Sequence, residues 1–171
     1  MKYAENKRPA KKISAKTAAH QEAGEYALKD SPGGVVNYCV HNPAGKVAFS
    51  PAKLVLALRA GLPVRELDDL QNSLEVPMEK LVPMLGISKA TLHRRKAAGR
   101  LDPAESDRVV RFARLMGRAV EVMESEEDAR RWLTLPQFGL GGAVPLEYAE
   151  TEVGAREVED LLGRIELGVY S

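Results

Sequence analysis

Apolar positions along this chain recur mostly at three- and four-residue intervals, the spacing of one helix face. Val64, Leu67, Leu70 and Leu74 form one series. Val109, Val110, Phe112, Ala113, Met116, Val120 and Met123 form a longer, broader one. Val158, Leu161, Leu162 and Ile165 share a face near the carboxyl end. Capping and breaking residues set the limits of these segments. Ser50 and Pro51 open a helix through Leu54, Val55 and Leu58 that stops at Gly61, since a hydroxyl N-cap and an early proline suit a helix start and glycine its end. Residues 77–85 predict a helix ended by Gly86, and Ser88 caps another ending near Gly99. Asp102 and Pro103 start the long helix. Ser125 to Asp128 has the form of a capping box with Asp in place of the usual Glu, opening a helix that carries Trp132 and Leu133 and ends before Pro136. After a loop over 139–142, Pro145 starts a short helix through Leu146 and Tyr148, and Thr151 caps the last one.

The pattern is therefore all-α, with one exception near the start. Residues 35–40 and 46–49 flank His41, Asn42, Pro43, Ala44 and Gly45, an arrangement that predicts a short β-hairpin. Before it, residues 1–30 read as a polar, partly disordered arm that could carry a helix over 17–28, closed by the breaker Ser31, Pro32, Gly33 and Gly34. The expected organisation is an amino-terminal arm over 1–49, a helical domain over 50–123 and a second small helical domain over 124–171.

Composition narrows the class. With 171 residues, 44% hydrophobic and 29% charged, the chain fits an ordinary globular protein of one or two small domains. Cys39 is the single cysteine, so no internal disulfide can form and a reducing cytoplasm is the expected setting. No apolar run approaches the roughly 18 residues that span a bilayer, so no membrane association is expected. The net charge of +1 hides an asymmetry. Lys89, Arg94, Arg95, Lys96, Arg100, Arg108, Arg111, Arg114 and Arg118 make residues 87–118 basic, whereas acids outnumber arginines over 121–171. A basic middle and an acidic end imply two surfaces with different partners.

The basic block begins at the sharpest local motif. Two short helices meet at Leu85, Gly86, Ile87 and Ser88, and Leu81, Leu85, Ile87 and Leu92 are spaced to hold them together. A helix-turn-helix needs positive φ at its turn, which Gly86 supplies without steric conflict. Ser88 then caps a helix whose first turn would enter the major groove, with Lys89, Thr91, His93 and Arg94 facing bases or phosphates. Arg95, Lys96 and Arg100 add charge for the DNA backbone. One departure stands out: Arg95 and Lys96 occupy the late turn where such helices commonly carry apolar side chains. Taken alone, a glycine-linked helix pair is equally a common packing unit, and basic residues on exposed helix faces are often merely solvated.

The second half carries two longer strings. One runs Ala129, Arg130, Arg131, Trp132, Leu133 and then Leu140, Gly141, Gly142, Ala143, Val144, Pro145, Leu146, Glu147; the other runs from Thr151 through Leu161, Leu162, Gly163, Arg164, Ile165 and Glu166 to Gly168, Val169 and Tyr170. Together with the turn around Gly86 and the Gly99, Arg100, Leu101 stretch, they resemble the Xre/MbcA/ParS antitoxins, the partners of RES-domain toxins, over residues 62–171. That resemblance implies an Xre-like helix-turn-helix domain that binds operator DNA and represses its own operon. It also implies a small toxin-binding domain that caps an enzyme consuming NAD or transferring ADP-ribose from it. It places Arg164, Ile165, Gly168, Val169, Tyr170 and Ser171 at the toxin's NAD pocket, and gives Trp132, Leu133, Gly141, Gly142, Pro145 and Leu146 the role of shaping the domain. Ala143 and Val144 depart from the polar residue and Thr usual in the family, which implies an altered helix cap and the same class of partner. The residues themselves agree: Gly168 lets the chain turn, Tyr170 offers a flat ring and a hydroxyl, and Arg164 can meet a carboxylate. On composition alone, such a tail would fray and Trp132 would be a plain core anchor.

Other chemistry finds little footing. His20, His41 and His93 have no metal-ligand spacing with Cys39, and the glycines over 139–142 lack a preceding strand and a P-loop lysine. No catalytic residue, metal or cofactor is expected. The likeness points to an antitoxin, a homodimer within a larger toxin–antitoxin complex; the rival readings are a stand-alone transcription regulator with a C-terminal oligomerisation domain, and a small enzyme.

Overall fold

The computed structural model describes residues 34–41 and 51–169. They form α1 (Gly34–His41), α2 (Pro51–Ala60), α3 (Arg65–Leu74), α4 (Met78–Met84), α5 (Lys89–Ala98), α6 (Pro103–Met123), α7 (Glu126–Thr134), a 3₁₀ turn (Phe138–Leu140), α8 (Pro145–Tyr148) and α9 (Glu152–Glu166). Among the described residues the only extended pairings are isolated bridges, Pro63 with Arg100 and Gln137 with Ala143. The fold is all-α.

The 21-residue α6 is the spine. Its start is secured by a full capping box: Asp102 Oδ1 accepts from Glu105 N–H (2.8 Å) and Glu105 Oε2 accepts from Asp102 N–H (2.8 Å). Helices α1, α2, α3, α7 and α9 all pack on it. That explains why its apolar face is so broad, with Val109, Val110, Phe112, Leu115 and Met116 buried on different sides of the helix. One contiguous core runs from Val35 to Leu162 through α6, joining α1 to α9.

Where a hairpin is expected from 35–40, the structure has the helix α1; residues 46–49, and the helix expected over 17–28, lie outside the described residues. The β-branched run Val35, Val36 and Val40 favours strand locally, but Val35, Val36, Cys39 and Val40 repeat at helical spacing and all are buried against α3 and α6. Two long-range features hold α1 in place. The fully buried Glu66 on α3 accepts from Val35 N–H (3.1 Å) and Val36 N–H (2.9 Å), satisfying the open donors of the helix start. Gly117 on α6 lets the α1 backbone come close: a Cβ there would stand 2.2 Å from the Cys39 carbonyl oxygen.

Burial pushes the Cys39 thiol up to about 11. Native protein is therefore expected to react with a thiol reagent orders of magnitude more slowly than denatured protein, because the thiolate is the reactive form. Labelling followed by mass spectrometry at neutral pH checks this, and the rate reports how often α1 lifts from the core.

Candidate functional site

The turn between α4 and α5 is built as its sequence requires. Gly86 has φ of +65°. Leu81, Leu85 and Ile87 are buried beneath it, with Leu92 packed against the same core. Arg108 reaches from α6 to donate to the Leu85 carbonyl (2.9 Å), tying the turn to the spine. Ser88 Oγ accepts from Thr91 N–H (3.1 Å) and donates to Thr91 Oγ1 (3.0 Å), so both hydroxyls serve the start of α5. Gly99 closes that helix at φ +73°, and its carbonyl accepts from Val64 N–H (3.1 Å).

No residue of α5 is fully buried, which leaves it as an exposed rod beside the core. Leu92 and Arg95, three apart, face inward. Arg95 donates to Glu105 Oε2 (2.7 Å) and to Asp102 Oδ2 (2.6 Å), so the capping box of α6 also clamps the second turn of α5. Its bond to Glu105 makes the guanidinium hold its proton more firmly. This clamp stands where an apolar side chain was missed in the sequence: the late turn is anchored by a partly buried ion pair. Arg100 is likewise turned inward, donating to the Gly61 carbonyl (2.8 Å). Arg108, Arg111 and Arg118 are engaged as well, by the Leu85 carbonyl, by Asp107 and Glu152, and by Glu121 and Glu166. The basic block is thus partly structural. Lys89, His93, Arg94 and Lys96 are exposed on the outer face of α5 and have no side-chain hydrogen bond or ion pair to described residues.

At the other end of α6, residues 132–146 form a braced platform. Leu133, Pro145 and Leu146 are buried in it. Gln137 N–H donates to the Ala143 carbonyl (3.0 Å), and the Gln137 amide donates to the Trp132 carbonyl (2.8 Å). Gly141 and Gly142 turn the loop at φ +66° and +87°. Val144 at the start of α8 makes no side-chain cap bond, as its departure from the family pattern implies. Trp132 packs one side on the core and turns the other toward an apolar groove of about 500 Å³, so it is more than a core anchor. The remaining walls of the groove are Met123, Gln137, Phe138, Gly139, Leu161, Ile165 and Val169.

The end of α9 is turned by a Schellman motif. Gly168, at φ +69°, donates to the Ile165 carbonyl (3.0 Å), and Val169 N–H donates to the Arg164 carbonyl (2.9 Å). Residues 167–169 are therefore tied back instead of fraying, and Val169 lies at the groove. Arg164 is half-buried with its Nε lacking a hydrogen-bond partner among the described residues. Tyr170 and Ser171 lie outside the described residues. Sequence reasoning missed Phe138, Met123 and Leu161 as groove walls; the signal for Phe138 was an aromatic set between a proline and a glycine-rich turn.

Residues 53–114 match the family model of the antitoxin Xre-like helix-turn-helix domain, and residues 118–168 match that of the antitoxin Xre/MbcA/ParS C-terminal toxin-binding domain. The chain is 38% identical over 120 residues to an Antitoxin Xre of Yersinia enterocolitica, covering 69% of this chain and 81% of that one. It is 36% identical over 116 residues to an Antitoxin Xre of Photorhabdus laumondii, covering 67% and 78%. A Prs ADP-ribosylating antitoxin of a Sphingobium species is 24% identical over 132 residues, covering 71% and 83%.

Proposed function

This chain belongs to the Xre/MbcA/ParS family of antitoxins, and we propose that it silences a RES-domain toxin by placing its carboxyl end in that enzyme's NAD pocket, while its helix-turn-helix half represses the operon of the pair. The observation that carries this reading is the presence of two uncommitted surfaces on one frame. One is the outward face of α5, where Lys89, His93, Arg94 and Lys96 make no side-chain hydrogen bond or ion pair to the described residues. The other is the turned end of α9 with Ile165 and Val169 beside the apolar groove.

Each surface suits its partner. A short basic helix with small Ala90 and Ala97 between its cations can sit close to a major groove, and its point charges meet phosphates. Ser88, Thr91, Arg95 and Arg100 then act chiefly by holding that helix in position. A homodimer would set two such helices on two half-sites. At the other end, Gly168 turns Val169 off the helix axis, and the half-buried Arg164 brings a guanidinium to the same end, where it would meet a carboxylate or phosphate at the pocket mouth. The name of the Sphingobium relative points to ADP-ribosylation, chemistry that draws on NAD, which accords with an NAD pocket as the target.

The test of the DNA half is a salt titration of operator binding. Arg94→Ala with Lys96→Ala removes about two phosphate contacts per subunit, so the slope of log K against log salt should become shallower by about 1.8 per subunit. An unchanged slope would mean that α5 does not face the DNA backbone.

A further inference from the structure

Phe138 is 99% exposed, the most exposed of the large hydrophobic side chains among the described residues. It is not a floppy one. Its backbone belongs to the 3₁₀ turn, where Gly141 N–H donates to the Phe138 carbonyl (2.9 Å), Gly142 N–H donates to the Gln137 carbonyl (2.9 Å), and the Gln137 amide is tied to the Trp132 carbonyl. The turn also sits tightly on α9: a Cβ at Gly139 would stand 2.6 Å from Leu161 Cδ1. A rigid loop thus holds a phenyl ring in water at the lip of an apolar groove floored by Trp132, Leu161 and Ile165. Exposed apolar surface of this kind, presented at fixed geometry, marks a protein contact, and a preordered aromatic is the residue type that anchors one.

We infer that Phe138 is the anchor by which the toxin is held: its ring enters an apolar pocket of the toxin while an apolar ridge of the toxin fills the groove between Phe138, Trp132 and Ile165. This rests on the reading that the chain binds a toxin. Two observations commit the occupant. Every wall of the groove except Val169 falls within residues 118–168, the part matching the toxin-binding domain model, and Val169 continues directly into the proposed plug. The groove's lining among the described residues carries no charged side chain. The fitting partner is therefore an apolar ridge.

The groove supplies what a tail alone cannot. Four residues entering an active site can block it, but so short a segment supplies little contact area, and association itself has to be offset by contact. A preformed groove with an aromatic anchor adds contact at little ordering penalty, and Phe138 then sets how long the plug stays in place.

The test uses the full chain and the purified product of the adjacent toxin reading frame, in an inactive form. Phe138→Ala should weaken binding about 30-fold, mostly through faster dissociation, and Phe138→Asp by more. Val55→Ala, an exposed apolar change on α2, is the control and should leave affinity within about twofold. Phe138 packs on nothing, so the variants should melt like the wild type. Trp132 is the only tryptophan in the chain, and the fluorine NMR signal of fluorotryptophan-labelled protein should shift on toxin addition. Wild-type affinity in Phe138→Ala, or an unmoved Trp132 signal in a formed complex, overturns the anchor and leaves the toxin reading standing. Failure of the wild-type chain to bind overturns both.

Discussion

Deletion of residues 168–171 should abolish rescue of growth when the chain is co-expressed with its toxin, while operator binding stays within about twofold. The first half follows from what those residues do. Gly168 makes the Schellman turn that sends the chain off α9, Val169 lies at the groove, and Tyr170 carries the only ring beyond the helix. Burial of a tyrosine covers about 150–250 Å². At about 25 cal/mol per Å² that is several kcal/mol of contact, offset in part by ordering the tail. Losing it should lower toxin affinity by two to three orders of magnitude, on the order of 3–4 kcal/mol. The second half follows from placement. Gly168 and Val169 are at the far end of α6 from α5, and both are exposed. Full rescue by the shortened protein would remove the plug, and the salt titration would still stand by itself. Gly168→Val isolates the turn, because a β-branched residue at φ +69° is strained whatever the space around it.

The largest effect on stability is expected at Glu66. Glu66→Ala leaves the N–H groups of Val35 and Val36 without acceptors inside the protein and removes the side chain that holds α1 to α3. Unpaired buried donors and the space left behind together imply a loss of about 3 kcal/mol, or roughly 6–12 °C in melting temperature. The labelling rate of Cys39 should rise in parallel, since Cys39 lies on α1 and is covered only while α1 stays packed on α3 and α6. The acid itself also carries a pH signature. Burial raises the Glu66 pKa above its ordinary 4.5, with the Val36 and Val35 N–H groups opposing. The folded protein thus holds this proton to higher pH than the unfolded chain does. The stability from that difference is present in full below pH 4.5 and is lost as pH rises through the raised value. Glu66→Gln should flatten that portion of the stability–pH curve in chemical denaturation. A curve unchanged by the substitution would show that the carboxyl titrates alike in both states.

What could be seen in the sequence was whatever is decided locally. Ser88, Asp102, Ser125 and Thr151 each accept a backbone N–H at a helix start, and Gly61, Gly86 and Gly99 sit at positive φ where helices or turns end. Caps and periodicity depend on residues three or four apart, so a chain read in order reveals them. What escaped was decided over distance. Residues 35–40 look like a strand until Glu66, some thirty positions later, accepts from Val35 and Val36. Arg95 looks like a phosphate contact until Glu105 and Asp102 take both sides of its guanidinium. The cations of α6 likewise read as one basic surface, although Arg108, Arg111 and Arg118 each find a carbonyl or carboxylate in the fold. At the carboxyl end the glycine and tyrosine of the tail stood out by composition, but the groove needs Met123, Phe138 and Leu161 from three separate elements, and nothing in their spacing joins them.

The two matched regions, 53–114 and 118–168, meet within α6, an unbroken helix of 21 residues. No linker separates the half that would face DNA from the half that would face the toxin. Each residue of such a rod sets the angle of the next by about 100° and its height by about 1.5 Å. A protein that binds both partners as proposed would then behave as a protractor: the azimuth of a captured toxin around the operator would be written into the length of one helix. Whether a bound toxin clears the double helix or collides with it, and so favours or releases the operator, is then a matter of helical phase.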